Sequence, residues 1–272
     1  MTIFQAIFLG VIQGITEFIP ISSSAHLALL PYFVNWHVDP AINFIFDILV
    51  QFATLGAVIV YYRKDLLHMA QSIVTNIVGK KNWSHPDSRL AIAIVIGTLP
   101  VVVLGLPLKG AVEEAFKQPL WIGFALLITS LILFLSEKRS RNRTISHSLT
   151  YLDALLIGIW QTLAIFPGIS RSGATIAGGL FRNLDRSQAT RFAFLLSIPS
   201  LAGAGVLSLI DFIRLPNPTQ YLPVIIPGCL AAFVVGYLSI YWLIRYLQNH
   251  SLYLFSTYCL ILGIIVILSK IL

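Results

Sequence analysis

Long apolar stretches separated by short polar loops make up most of this chain. Six of them approach the length of about 20 residues that a helix needs to cross a bilayer. They lie near residues 44–62, 90–108, 120–136, 189–210, 222–243 and 252–268. The pattern therefore predicts an all-α polytopic membrane protein with about six transmembrane helices.

Two further apolar stretches are interrupted by proline and serine. Residues 13–26 read QGITEFIPISSSAH, and residues 164–175 read AIFPGISRSGAT. In each case an apolar arm of about 15 residues ends at a proline, Pro20 or Pro167, which makes it too short for a comfortable crossing. Such an arm suits a re-entrant hairpin, and we expect two hairpins to meet near the membrane midplane.

The two broken stretches match each other without a gap. Six identical pairs share an offset of 148 positions: Gly10 and Gly158, Gln13 and Gln161, Phe18 and Phe166, Ile21 and Ile169, Ser22 and Ser170, and Ser24 and Ser172. Three crossings follow each stretch, and because three is odd the second copy enters the membrane inverted. We predict one integral membrane domain, 1–272, built as an inverted-topology repeat with halves 1–143 and 144–272.

The basic residues of the loops support this topology. If the loop after the first crossing is cytoplasmic, thirteen Lys and Arg residues lie on that side and four on the other. The thirteen are Arg63, Lys64, Lys80, Lys81, Arg89, Lys138, Arg139, Arg141, Arg143, Arg182, Arg186, Arg191 and Arg245; the four are Lys109, Lys117, Arg214 and Lys270. By the positive-inside rule, both termini are expected outside. The loop 65–88 should begin with an interfacial helix on the cytoplasmic face.

Composition agrees with a membrane protein. Of the 272 residues, 57% are hydrophobic and 11% are charged, and the mean hydropathy is +0.85. The N-terminus has no signal-peptide pattern, so we expect the first segment to stay in the mature protein. The net charge is +7, and the basic residues lie in short loops between the apolar stretches, as the positive-inside rule explains. We therefore expect no nucleic-acid partner. Cys229 and Cys259 lack metal-site spacing and are predicted to be buried free thiols.

The second broken stretch carries an arginine between serines at a helix start. Ser170 is a suitable N-cap for this helix, and Arg171 and Ser172 follow it. Free N–H groups at a helix N-terminus beside a guanidinium form a phosphate-binding arrangement. In the first stretch, Ser22 and Ser23 follow a proline in the same way. Two such N-termini facing each other would suit a substrate with two phosphates.

The two copies differ in the residues that carry chemistry. Glu17 and His26 occur only in the first copy, and Arg171 and Thr175 only in the second. Ser23 and His26 are three positions apart and share a helix face, the minimum arrangement for an activated hydroxyl nucleophile. Glu17 would orient the histidine or hold a divalent cation.

Purely structural roles remain open for several of these residues. Ser22 and Ser170 would also serve as helix caps alone, and Ser24 as a small residue that allows close helix packing. Glu17 and Arg171 would also form a structural ion pair. A central charge in the membrane costs roughly 2.5 to 3.5 kcal/mol, however, so a functional role is the default hypothesis.

These motifs resemble those of a known family. Residues 13–26 are similar to its first motif, an acidic residue or Gln, three positions, Glu, then a Ser-Ser run and a His. PGISRSGAT matches its second motif, P-G-x-S-R-S-x-x-T, at every fixed position. The family is that of the undecaprenyl-diphosphate phosphatases, also called bacitracin-resistance proteins, and the similarity in length and motif spacing covers the whole chain.

The resemblance implies hydrolysis of the terminal phosphate of a C55 polyprenyl diphosphate lipid. This reaction recycles the lipid carrier of cell-wall synthesis and confers bacitracin resistance. The resemblance also implies a divalent cation, Mg²⁺ or Ca²⁺, an active site open to the outer face, and a multi-pass protein in the bilayer of the bacterial inner (plasma) membrane. The sequence leaves open whether the protein forms a homodimer.

Transferred to this sequence, the family's catalytic positions are Glu17, Ser23, His26 and Arg171, and the metal ligand is Glu17. The substrate-binding positions are Gln13, Ser22, Ser170, Ser172 and Thr175. Many members have a carboxylate where this chain has Gln13, so any metal would rely on Glu17 and the substrate's phosphates. Two mechanisms are open: Ser23 attacks phosphorus with His26 as base, or His26 activates water and Ser23 only binds.

Other functions fit the sequence less well. A transporter or flippase of an anionic polyprenyl phosphate lipid is the alternative, because inverted repeats with broken helices also build transporters. A second lipid-phosphatase family is excluded because its P-S-G-H motif is missing. A serine-hydrolase elbow is excluded because GISRS ends in Ser where G-x-S-x-G requires Gly. Asp47, Asp153 and Gln51 are placed near span ends, with structural roles.

Overall fold

The computed structural model of the chain describes residues 1–36, 40–79, 83–116, 118–141, 147–214 and 217–271. Within these ranges every regular element is a helix, which confirms the all-α class. The α-helices are α1 (Ile3–Phe18), α2 (Ser23–Phe33), α3 (Pro40–Tyr61), α4 (Arg63–Gly79), α5 (Pro86–Phe116), α6 (Pro119–Arg141), α7 (Tyr151–Leu163), α8 (Arg171–Phe181), α9 (Arg186–Ile213), α10 (Leu222–Asn249) and α11 (Tyr253–Ile271). A 3-10 helix, Pro218–Tyr221, precedes α10.

Each of the six predicted crossings coincides with one helix, namely α3, α5, α6, α9, α10 or α11. In the described part of the chain, four segments are long and apolar enough to cross a membrane: Pro86–Gly105, Pro119–Arg141, Pro218–Asn249 and Tyr253–Ile271. The predicted boundary between the halves and four of the basic loop residues, Lys80, Lys81, Lys117 and Arg143, lie outside the described residues.

The predicted helix after the first crossing is α4. It exposes large apolar side chains, among them Leu67, Val74, Ile77 and Val78. An exposed apolar face on a polar helix is what an interfacial helix presents to lipid. The helix is confirmed, and its position on the cytoplasmic face stays a prediction.

Both predicted helix breaks are confirmed. The first lies between Phe18, the end of α1, and Ser23, the start of α2; the second lies between Leu163, the end of α7, and Arg171, the start of α8. At about 1.5 Å per residue, the longest of these four helices measures about 24 Å, less than the ~30 Å hydrocarbon core. Within each pair the helices pack together. We call α1 and α2 the first hairpin and α7 and α8 the second hairpin.

Each hairpin packs its first helix closely against a long helix that is distant in sequence. α1 lies on α10, where a Cβ added to Gly10 would overlap the carbonyl oxygen of Gly228. α7 lies on α5, where a Cβ added to Gly158 would overlap the carbonyl oxygen of Gly97. Such backbone approach is a common source of membrane helix association, since small residues let more atoms come into contact.

Buried carboxylates join helix ends at the side that is predicted to be cytoplasmic. Glu137 on α6 accepts hydrogen bonds from the guanidinium of Arg186 on α9 at 2.6 and 2.7 Å. Asp153 on α7 accepts one from Arg182, which follows α8, at 2.6 Å and one from His147 at 2.9 Å. Both carboxylate side chains are fully buried. These contacts support the structural role predicted for Asp153.

Candidate active site

The turn of each hairpin ends in a serine that caps the following helix. The Oγ of Ser22 and that of Ser170 each accept a hydrogen bond from the backbone N–H three residues on, at 3.4 and 3.1 Å. Both predicted N-caps are therefore confirmed. In each hairpin the capping hydroxyl also lies 3.2 Å from a second hydroxyl, that of Ser24 or Ser172.

The two turns differ in backbone conformation. Ser22 has φ 71° and ψ 97°, a region that residues with a side chain rarely adopt, whereas Ser170 has φ −70° and ψ 122°. In the second turn the positive φ, 99°, belongs to Gly168, which adopts it at little cost. A strained non-glycine residue costs about 1–3 kcal/mol, and such residues cluster at functional sites.

Glu17 connects the two hairpins. Its Oε2 accepts hydrogen bonds from Nε2 of Gln13 at 2.9 Å and from Oγ of Ser23 at 2.7 Å. Its Oε1 lies 3.4 Å from Nη1 of Arg171 in the second hairpin. Because the Glu17 side chain is only 5% exposed, this guanidinium is what compensates its charge. The structure thus brings Gln13, Glu17, Ser23 and Arg171 into one cluster.

The predicted pairing of Ser23 with His26 is corrected by the structure. The hydroxyl of Ser23 donates to Glu17, and the two ring nitrogens of His26 have other partners. Nδ1 lies 2.8 Å from the carbonyl oxygen of Ser22, and Nε2 lies 2.7 Å from the hydroxyl of Tyr258 on α11. A carbonyl only accepts, so Nδ1 carries a proton, and in the neutral ring Nε2 accepts from Tyr258. Ser23 is the first residue of α2, and its side chain turns back to α1.

Arg171 and Thr175 lie on adjacent turns of α8. The Arg171 side chain is 24% exposed. In the described part of the chain, it is the cationic side chain that forms an ion pair with Glu17. The hydroxyl of Thr175 donates to the carbonyl oxygen of Arg171 at 2.8 Å, and Thr175 itself is buried. Thr175 therefore braces the first turn of α8 in this structure.

A cavity of about 310 Å³ lies between the two hairpins. Its polar lining consists of Thr16, Glu17, Ser22, Ser23, Ser24, Gln51, Gln161, Ser170, Arg171 and Ser200, and its apolar lining consists of Val101, Val112, Phe116, Ala164, Ile165 and Ile169. Of the predicted site residues, Gln13, His26, Ser172 and Thr175 do not belong to this lining. A cavity that has one polar and one apolar wall suits a molecule with a phosphate end and an apolar end.

Five polar residues of the lining were not predicted to belong to the site: Thr16, Ser24, Gln51, Gln161 and Ser200. Ser24 was predicted only to allow close helix packing. Gln161 had a sequence signal, since the repeat pairs it with Gln13. Gln51 was predicted near a span end, but it lies in the middle of α3 and faces the cavity. Thr16 lies in the first broken stretch, but the repeat pairs it with Ala164. Ser200 reaches the cavity because α9 packs there, and its sequence context gave no signal.

Among the lining residues, Glu17 is the carboxylate that suits a hard divalent cation. Among the described residues there is no group of three or more His, Cys, Asp or Glu that could hold a metal. The carboxylate of Glu17 lies in the cavity wall, whereas Gln13 lies outside the lining and its Oε1 is buried with no hydrogen-bond partner in the described structure. Carboxylate and amide oxygens are ligands that Mg²⁺ and Ca²⁺ prefer, with phosphate or water oxygens in the remaining positions.

Comparison with known proteins gives the family of the chain. A family model described as bacitracin resistance protein BacA matches residues 6–265. A protein of Chlorobaculum parvum named undecaprenyl-diphosphatase is 41% identical over 276 residues, which cover 98% of this chain and 97% of that protein. A protein of the same name from Chlorobaculum tepidum is 40% identical, and the match covers 97% of this chain and 95% of that protein. One from Methanosphaera stadtmanae is 38% identical, and the match covers 100% of this chain and 99% of that protein. The chain therefore belongs to the bacitracin resistance protein BacA family.

Proposed function

We propose that this chain is a membrane enzyme that hydrolyses undecaprenyl diphosphate to undecaprenyl phosphate and inorganic phosphate. The observation that carries the proposal is the convergence of Arg171 and two helix N-termini, capped by Ser22 and Ser170, on one cavity with an apolar wall. Helix N-termini and guanidinium groups bind phosphate, and an apolar wall accommodates prenyl units. The activity would recycle the lipid carrier of cell-wall synthesis and confer bacitracin resistance.

In the proposed reaction Arg171 holds the diphosphate and stabilises charge on the transferring phosphoryl group. The Oγ of Ser23 forms a bond to the terminal phosphorus while the bond from phosphorus to the bridging oxygen breaks. Glu17 takes the proton of Ser23, because its carboxylate already accepts that hydrogen bond at 2.7 Å. Undecaprenyl phosphate leaves with the bridging oxygen, and water then hydrolyses the phosphoserine to release inorganic phosphate.

We assign His26 a positioning role in this mechanism, in place of the base predicted from its spacing. Its Nδ1–H donates to the carbonyl oxygen of Ser22, the strained residue that caps α2. This hydrogen bond would hold the turn in the conformation that presents Ser23 and the helix N-terminus to phosphate. The hydroxyl of Tyr258 fixes the tautomer from the other side of the ring.

A divalent cation, Mg²⁺ or Ca²⁺, would be held by Glu17 and by the phosphates of the substrate. It would supply charge neutralisation at the diphosphate. Chelation with EDTA should then abolish turnover, and added Mg²⁺ or Ca²⁺ should restore it. Full activity after exhaustive chelation would contradict this assignment.

The proposed architecture is an inverted repeat of six crossings and two re-entrant hairpins, with halves 1–143 and 144–272. The matching glycine crossings support it, because Gly10 on Gly228 and Gly158 on Gly97 pair equivalent positions of the two hairpins. The turns give a second match: the carbonyl oxygen of Gly168 accepts from Thr129 on α6, and that of Pro20, 148 positions earlier, lies 3.8 Å from the Cys259 thiol on α11.

The orientation proposed from the loop charges places both termini on the outer face of the inner membrane. A cavity that opens to the same face is what the resemblance to the family implies. Single cysteines in a background without Cys229 and Cys259 test the orientation. A membrane-impermeant thiol reagent on intact cells should label a cysteine at Gln118 and leave one at Ser140 unlabelled. The opposite labelling pattern would contradict the orientation.

The decisive experiment is release of inorganic phosphate from C55 prenyl diphosphate by the purified protein in detergent. Hydrolysis under these conditions needs no sealed bilayer and no gradient, so a protein that only transports lipid would release nothing. We expect wild type to release phosphate and Arg171→Ala to release almost none. Equal release by both proteins would contradict the proposed site.

A further inference from the structure

Gln161 is a buried amide that has no hydrogen-bond partner in the described part of the chain. It lies near the end of α7, is 2% exposed, and lines the cavity together with Glu17, Ser170 and Arg171. Neither its Nε2 nor its Oε1 has a partner among the described residues. Buried polar groups in native proteins are nearly always paired, so an unpaired amide that lines a cavity is suited to bind a hydrogen-bonding group within it.

The equivalent residue of the first hairpin shows what Gln161 lacks. Gln13 lies 148 positions earlier and donates its Nε2 to the carboxylate of Glu17 at 2.9 Å. In the second hairpin the position equivalent to Glu17 is Ile165, which is apolar and lines the same cavity. Gln161 therefore has no carboxylate at the position where Glu17 pairs with Gln13, and its amide keeps two donors available to the cavity.

We propose that Gln161 is a further substrate-binding residue, whose amide nitrogen donates a hydrogen bond to a phosphate oxygen of the bound diphosphate. This inference rests on the proposed function, because it assigns a ligand in the same cavity. Arg171 supplies charge at the start of α8, whereas Gln161 supplies a neutral donor from α7. The two donors come from different helices of the second hairpin, so together they restrict the orientation of the diphosphate.

The test measures binding of a soluble diphosphate in place of turnover. The probe is methylenediphosphonate, which is not hydrolysed, titrated into purified protein by calorimetry. Gln161→Met keeps the unbranched shape of the side chain and removes both polar atoms. We expect its Kd for the probe to rise about tenfold, the effect of one hydrogen bond to a charged group. Its melting temperature should not fall, because no internal hydrogen bond is lost.

The matched control is Gln71→Met, the same change at an exposed glutamine of α4, which should leave the Kd unchanged. If Gln161→Met melts at a lower temperature than wild type, Gln161→Glu becomes the deciding variant. Its carboxylate has the same shape as the glutamine amide and would repel phosphate, so its Kd for the probe should also rise. A rise in Kd of less than fivefold in the deciding variant overturns the proposal. Probe binding is measured without turnover, so wild type that binds the probe but releases no phosphate would contradict only the proposed function.

Discussion

The first and second hairpins share a backbone plan and differ in chemistry. In both, a short helix ends before a turn, a serine caps the next helix, and a second serine hydroxyl lies 3.2 Å from the cap. Only the first hairpin has the carboxylate Glu17, and only the second has the guanidinium of Arg171. The repeat therefore duplicates a phosphate-binding turn, and the functional residues are divided between its two copies.

The largest effect is expected from removing the charge that the second hairpin contributes. Arg171→Ala should lower kcat/KM about 10³- to 10⁵-fold, the range for an arginine that stabilises a transferring phosphoryl group. Arg171→Lys should lower it about 10²-fold, because a point charge does not reproduce the planar fork. The measurement is phosphate release in detergent, with Arg139→Ala, an exposed arginine of α6, as control. Kinetics of Arg171→Lys equal to wild type would rule out this role.

The next effect concerns the nucleophile that the first hairpin contributes. Ser23→Ala should lower kcat about 10³-fold, because only the direct attack of water remains. Rapid quenching of wild type with labelled substrate should trap phosphate on Ser23. Turnover close to wild type in Ser23→Ala would eliminate the covalent route and leave water as the attacking group.

A smaller effect separates positioning from base catalysis at His26. His26→Ala removes the hydrogen bond to the Ser22 carbonyl and should lower kcat/KM about 10²-fold. His26→Asn keeps a donor near the position of Nδ1 and should stay within about tenfold of wild type. Phosphate release measures both, with His68→Ala on the exposed face of α4 as control. If Asn and Ala are equally inactive, His26 acts as a base.

The smallest effect concerns stability, where the two hairpins should behave alike. Gly10→Ala and Gly158→Ala each insert a methyl group where backbone atoms meet, and each should destabilise the fold by about 1–3 kcal/mol. Gly110→Ala is the control, because an added Cβ there meets no atom within 4 Å. Thermal unfolding in detergent provides the comparison. A loss in only one of the two glycine variants would show that the crossings are not equivalent.

The sequence predicted those features of the site that depend on local chemistry. Proline and serine predicted both turns and both caps, and the offset of 148 predicted that Glu17 and Arg171 belong to one site. The direction of His26 was not predictable, because its partner Tyr258 lies on α11 and local spacing carries no information about it. Gln51 is also brought to the cavity by packing between distant helices.

The central claim is that residues of both hairpins act on one diphosphate. The most direct test is the kcat/KM of the double variant that combines Ser23→Ala with Arg171→Lys. If both residues act in one catalytic unit, the double variant should lose about 10³-fold, close to the loss in Ser23→Ala alone. Independent sites would instead give the product of the single losses, about 10⁵-fold. A loss of that size, measured as phosphate release from C55 prenyl diphosphate in detergent, would contradict a shared site.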